Sequence, residues 1–256
     1  MARAARPGAV SAPCVDTIVA NLNSTGSHAI IDPPIVESVN GSLFVFLNDN
    51  GAQNFALMQA DTSLSLASQV IVTAGANTGQ PAHAGALDNA YLSWPGTGAN
   101  TGHLYWCGTG GNASPQLWDI GFTGAKMNSS PANGPLALAS NTNSCSPVTE
   151  FFNPNIGSGG ADMLFVSVQN GCSGTISGGC MRAFDITSGF PASTTGAGVS
   201  TVAETGGTSG IVVDNVGNTT TFSQASSLYF SNLSNTTCSG VAGGACAIKL
   251  TQSGLQ

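Results

Sequence analysis

Short apolar runs separated by Gly-, Asn-, Ser- and Pro-rich gaps set the pattern of this chain, and they recur in the same order four times. The first run of each set ends on a carboxylate: Pro34-Ile35-Val36-Glu37, Gly85-Ala86-Leu87-Asp88, Pro147-Val148-Thr149-Glu150 and Ile211-Val212-Val213-Asp214. The second is apolar and aromatic: Ser42-Leu43-Phe44-Val45-Phe46, His103-Leu104-Tyr105-Trp106-Cys107, Met163-Leu164-Phe165-Val166 and Ser227-Leu228-Tyr229-Phe230. The third is Phe55-Ala56-Leu57-Met58, Leu117-Trp118-Asp119-Ile120, Met181-Arg182-Ala183-Phe184 and Ala247-Ile248-Lys249-Leu250. Weaker runs follow the first three sets, at Val70-Ile71-Val72, Leu136-Ala137-Leu138 and Val199-Ser200-Thr201-Val202. Runs of this length, rich in Val, Ile, Phe and Tyr and bounded by turn residues, predict strands. No segment carries a capped helical period, so the chain is predicted to be all-β.

The recurring carboxylates stand roughly 51 to 64 residues apart, somewhat longer than the ~40–50 residues of common propeller repeats. The pattern predicts a β-propeller in one domain, 1–256, with four blades of antiparallel strands near residues 31–75, 82–140, 144–203 and 207–256. Residues 1–30 form an N-terminal segment in which Val15-Asp16-Thr17-Ile18-Val19-Ala20 reads as an outer strand. That strand either completes the last blade or belongs to a blade whose other strands lie upstream. Four blades are the low end for a propeller. The second reading is favoured, and the chain reads as the incomplete part of a larger propeller whose missing upstream blades are its partners.

The cysteines add a constraint. Two pairs, Cys172 and Cys180, and Cys238 and Cys246, fall at the same place in two sets, each spanning a Gly-rich gap between second and third strands. Hairpin stems bring Cα atoms within disulfide reach. Zinc ligands sit at closer spacing, with His or further Cys nearby, so disulfides are preferred to a metal site. Cys107 closes a second strand and Cys145 precedes the next first strand, which places them to bridge neighbouring blades. Cys14 is left over. Disulfides point to a secreted, periplasmic or cell-surface protein, although the basic N-terminus lacks the apolar stretch of a signal peptide.

Composition narrows the partners. Charged residues make up 7% of the chain, against about 25% in typical domains, yet hydrophobic content is 41%, so the chain buries a core and is not disordered. With five Lys and Arg and a net charge of −7, it cannot build a basic face. Nucleic acid is therefore excluded as a partner. No apolar run is long enough to insert in a membrane as a helix.

Several of these segments together resemble a known group. They are Ala86-Leu87-Asp88-Asn89-Ala90-Tyr91, Gly102-His103-Leu104-Tyr105-Trp106-Cys107-Gly108, Cys145-Ser146-Pro147-Val148-Thr149-Glu150-Phe151, Gly207-Thr208-Ser209-Gly210-Ile211-Val212-Val213-Asp214-Asn215 and Gly244-Ala245-Cys246-Ala247-Ile248-Lys249-Leu250-Thr251-Gln252. From about Asp32 onward the chain is similar to the C-terminal blades of exported bacterial β-propeller proteins. The resemblance implies export and a longer N-terminus. It implies no reaction and no catalytic residue, because the group has none assigned.

The candidate chemistry lies first in the carboxylate series Glu37, Asp88, Glu150 and Asp214. A shared register on the first strands would gather them around a propeller channel. They would then repel one another unless a cation or donors compensate. Ca²⁺ is the cation such oxygens suit, with Asn89, Asn215 and Thr149 as further ligands. The structural alternative, which is favoured, is that each accepts backbone N–H bonds from the adjacent blade. His28, His83 and His103 fall at unrelated positions and read as ordinary hydrogen-bonding residues. Trp106 and Trp118 read as packed between blades, whereas Trp94, in Ser93-Trp94-Pro95-Gly96, reads as a surface aromatic able to stack on a sugar or a protein. Nucleophile and phosphate-binding motifs are absent. The sequence therefore predicts a non-catalytic binding or scaffold module for a protein or glycan, with no cofactor required. The alternative is a cation-dependent, hydrolytic propeller built on the carboxylates.

Overall fold

The apolar runs fold as antiparallel strands that pair in the order in which they occur. A computed structural model of the chain describes residues 30–48, 54–64, 70–76, 80–109, 114–140, 143–154, 156, 158–172, 176–214, 227–234, 236–238 and 241–251. Cys14, the 15–20 run, His28, Asn215 and the sequence beyond residue 251 lie outside the described residues. The first sheet is β1 (Ile35–Glu37), β2 (Ser42–Leu47), β3 (Asn54–Asp61) and β4 (Val70–Ala76), each hydrogen-bonded to the next. The second holds β5 (Ala86–Leu87), then a one-turn helix α1 (Asn89–Leu92), β6 (His103–Thr109), β7 (Pro115–Thr123) and β8 (Lys126–Met127), with β9 (Asn133–Ala137) also paired to β7. The third is β10 (Thr149–Asn153), β11 (Ala161–Val168), β12 (Cys180–Asp185) and β13 (Val199–Ala203). In the fourth, β14 (Val212–Asp214) pairs with β15 (Ser227–Ser231). A separate hairpin of β16 (Thr236–Cys238) and β17 (Val241–Gly244) follows, and β18 (Ala247–Thr251) then pairs with β15.

The all-β expectation holds except for α1. Four residues are too few to show a helical period. The turn exists because Asp88, in extended conformation, accepts the Tyr91 N–H at 2.8 Å as a side-chain cap.

Side chains alternate between the faces of a strand, and the second and third sheets use that alternation to touch two neighbours. Leu104, Trp106 and Ile120 of the second sheet pack with Phe44, Phe46 and Leu57 of the first. Tyr105, Cys107 and Leu117, on the other face of the second sheet, pack with Leu164, Val166 and Phe184 of the third. Phe165, Met181 and Ala183 of the third then meet Leu228 and Phe230 of the fourth. The leucine of the second strand thus faces the preceding sheet in the second, third and fourth sheets, and the aromatic after it faces the following one in the first three. Tyr229, the last in that series, is 37% exposed and its neighbour Val212 64%.

Polar contacts fix the sheets at their junctions. Gln59 of β3 donates to Ala125 O at 2.8 Å and accepts from Met127 N at 2.6 Å, tying the first sheet to the β7–β8 turn. Val148 N donates to Ala84 O and Thr208 N to Ser167 Oγ. The buried Arg182 of β12 donates to Thr194 O at 2.7 Å and lies 3.5 Å from Leu138 O, across the junction with the second sheet. Burial holds its guanidinium below the usual range.

All three expected disulfides form: Cys172–Cys180, Cys238–Cys246 and, between the second sheet and the segment entering the third, Cys107–Cys145. They fit an oxidising environment. Among the described residues, no helix is long and apolar enough to cross a membrane.

The bridges differ in the loop they close. Cys107 and Cys145 are 38 residues apart, Cys172 and Cys180 only 8. Chain entropy assigns about 3.9 kcal/mol to the first and about 2.5 kcal/mol to the second. The Cys107→Ser/Cys145→Ser variant is therefore expected to lose more stability in urea unfolding than Cys172→Ser/Cys180→Ser. Equal losses would show that the inter-sheet bridge adds nothing beyond a local loop closure.

Candidate functional site

The four recurring carboxylates do not share one register. Glu37 stands opposite Ser42 and Asp214 opposite Ser227. Asp88 is one step beyond the Leu87–Leu104 pair, its N–H bonded to His103 O. Glu150 instead stands opposite Leu164, the place that Val36, Leu87 and Val213 occupy against Leu43, Leu104 and Leu228. The expected alignment therefore holds for three and fails for Glu150. The reason is the longer first strand of the third sheet, which runs on to Asn153 and takes Glu150 inside the strand rather than at its end. A one-residue offset turns a side chain to the other face.

Their partners also differ from expectation. Glu37 accepts the N–H groups of Val39 at 2.6 Å and Asn40 at 3.0 Å, and Asp88 those of Tyr91 at 2.8 Å and His103 at 2.9 Å. These donors belong to the same sheet and not to its neighbour: a carboxylate at a strand end meets the N–H groups of the turn that follows it, and the paired strand β6 adds His103 N–H for Asp88. Among the described residues, no three His, Cys, Asp or Glu side chains are placed to hold a metal ion. His83 Nδ1 lies 3.0 Å from the Asp32 carboxylate, which also accepts Ala84 N–H.

Ionisable groups gather at the junction of the second and third sheets. Tyr105 of β6 is buried there, paired with Ala86 on one side and Asp119 on the other. Phe190, from the β12–β13 connection, lies parallel to its ring at 6.4 Å. The His103 ring is 6.2 Å away, with Nδ1 3.6 Å from Asp88 Oδ2 and Nε2 3.9 Å from Asp119 Oδ2. Asp119 is fully buried and accepts Asn133 N–H at 2.7 Å and Asn133 Nδ2 at 3.0 Å. Glu150 and Asp162 complete the group from β10 and β11.

The protonation states follow from this crowding. Asp88 chiefly raises the His103 pKa, with help from Asp119 and against the effect of burial. At 3.6 Å that contact is longer than a hydrogen bond and works mainly by charge. Burial raises Asp119 despite its bonds from Asn133 and the nearby His103. Glu150 is pushed up to about 10 by burial, then by hydrogen bonding to and repulsion from Asp162, and by repulsion from Asp88. It is a neutral acid at physiological pH. Tyr105 is raised by burial and by the same four carboxyl groups.

Beside this group opens a cavity of about 440 Å³, lined among others by Asn89, Trp94, Thr101, Phe152, Asp162 and Thr187. Trp94 follows α1, its N–H bonded to Tyr91 O, and is half-buried at the cavity wall, so the expected surface aromatic borders a concave site. Trp106 is fully buried and stacked parallel to Trp118 at 6.3 Å. Trp94 Nε1 and Asp162 Oδ1 are themselves closed off from solvent, and Asp162 is within hydrogen-bonding reach of the Glu150 acid.

Sequence reasoning reached Asp88, Glu150 and Trp94 but missed Asp119, Asp162 and Tyr105 and passed over His103. One signal was present: Asp119 interrupts the apolar run Leu117-Trp118-Asp119-Ile120, where a buried carboxylate needs a dedicated partner. No protein-family model matches the chain, and no curated protein matches it in sequence.

The raised acid has a consequence for stability. Its folded pKa lies above the ordinary 4.5, so the folded state holds a proton that the unfolded state releases. That contribution is fully present below about 4.5 and is lost as pH rises toward 10, and the raised His103 acts in the same direction. Glu150→Gln mimics the neutral acid. Its melting temperature is expected to match the wild type at pH 5, to exceed it at pH 8.5, and to vary less between the two. A wild-type melting temperature that rises from pH 5 to pH 8.5 would contradict this assignment.

Proposed function

We propose that the chain is a β-propeller-type scaffold, its sheets set side by side about an axis, that works as a non-catalytic binding module for a glycan or protein outside the cytoplasm. The observation that carries this reading is the packing of every intermediate sheet on both faces. It confines irregular backbone to the sheet ends, where loops from adjacent sheets meet around the cavity of Trp94 and Phe152. Rigid elements that hold a concave, mixed polar and aromatic wall suit ligand capture. The three disulfides support a secreted, periplasmic or cell-surface setting. The resemblance to exported propeller proteins agrees with it.

The Ca²⁺-dependent alternative drew on four carboxylates in one register. The offset of Glu150 and the turn N–H groups that already serve Glu37 and Asp88 leave it little support.

The oxidised chain, applied to a glycan array and to a panel of secreted proteins, is expected to bind members of one class saturably and to return them chemically unchanged. Cleavage of any bound ligand, or no binding to either collection, would contradict a non-catalytic binding module.

A further inference from the structure

We propose that the cavity between Trp94 and Phe152 is a subsite for a neutral saccharide, an assignment that rests on the binding-module reading and names its ligand class. The wall carries polar side chains of either sense, Asn89, Thr101, Asp162 and Thr187. A hydroxyl group both donates and accepts, so the hydroxyls of a polyhydroxylated ring find donors and acceptors on the same wall. The volume, about 440 Å³, falls within the ~300–1,000 Å³ usual for small-ligand sites.

The two aromatic residues come from different sheets. Trp94 follows α1 in the second sheet, and Phe152 lies in β10 of the third. An apolar aromatic face covers the C–H face of a sugar ring while the ring's hydroxyls stay at the polar wall. Gly160, at φ +82°, is what admits the Phe152 ring, since a Cβ there would stand 2.4 Å from Phe152 Cζ. Asp162 is held by its own backbone, with its N–H bonded to Thr187 Oγ1 at 2.9 Å and its carbonyl accepting Ile186 N–H at 2.8 Å. The Asp88 cap on Tyr91 N–H fixes the turn that leads to Trp94. Preorganised partners of this kind reduce the entropy lost on binding.

Charge decides which saccharide. Asp88, Asp119, Glu150 and Asp162 lie at this junction with His103 as the basic group among them, and no Lys or Arg lines the cavity. An anionic sugar meets repulsion there, whereas a neutral one does not.

The test is calorimetric titration of the full-length, oxidised chain with cellohexaose, xylohexaose, maltohexaose and chitohexaose as neutral probes and hexagalacturonate as the anionic one. At least one neutral probe is expected to bind. Trp94→Ala and Phe152→Ala should each weaken it about tenfold, Trp94→Phe should recover part of the loss, and Asp162→Asn should weaken binding without altering the melting temperature at pH 5. Tyr229→Ala, on the exposed face of the fourth sheet, should bind like the wild type, and hexagalacturonate should not bind. Near-UV circular dichroism verifies folding, and Trp94→Phe with Asp162→Asn decides the matter should either alanine variant fail it. Absence of binding by every neutral probe overturns the proposal, as does equal binding of hexagalacturonate. Binding that survives the Trp94 and Phe152 substitutions also overturns it, but leaves the binding-module reading standing with its site elsewhere. A protein ligand alone on the arrays has the same effect.

Discussion

Burial of both faces of a sheet is the constraint on which the rest depends. A single antiparallel sheet of short strands has one row of apolar side chains on each side and cannot hide either alone. Here the second and third sheets hide both, each turning the leucine of its second strand backward and the aromatic after it forward. Apolar burial at about 25 cal/mol per Å² makes this the main stabilising contribution, and it explains how a chain with so few charges still has a defined core. Polar residues are then left for the sheet ends and edges. Of those that enter the interior, Gln59, Asp119 and Arg182 are each met by a neighbouring turn, strand or carbonyl.

The candidate site is a product of that packing rather than of any one segment. Asp88, Asp119 and His103 belong to the second sheet, Glu150 and Asp162 to the third, and no two neighbouring residues in sequence bring them together. Stacking the sheets forces carboxyl groups into one low-dielectric junction. The junction answers by keeping a proton on Glu150 and favouring one on His103. The cavity alongside inherits rigid walls from two sheets and a negative field from the acids, which together set the ligand class proposed for it.

Much of the architecture was legible from local chemistry. Strand runs such as Leu104-Tyr105-Trp106 announce themselves by composition, and Cys172 with Cys180 by the hairpin between them. Even Cys107 and Cys145 could be placed, because one ends a strand and the other begins the next set. What escaped was what pairing across strands decides. The offset of Glu150 depends on how far β10 extends, which no local pattern records. The helix turn capped by Asp88 is too short for periodicity. Asp162 sits at a strand start where a carboxylate reads as ordinary solvent-facing polarity, and only its diagonal placement beside Glu150 across β10 and β11 gives it meaning. Tyr105 looked like any core aromatic until the acids around it were located.

Peptide mapping of the non-reduced protein by mass spectrometry probes the side-by-side packing of the second and third sheets most directly. Cys107 and Cys145 meet only if those sheets lie against each other in the described order. The account predicts a disulfide-linked peptide pair containing Cys107 and Cys145, alongside the two short-loop bridges. Recovery of Cys107 as a free thiol, or joined to Cys172 or Cys180, would contradict it.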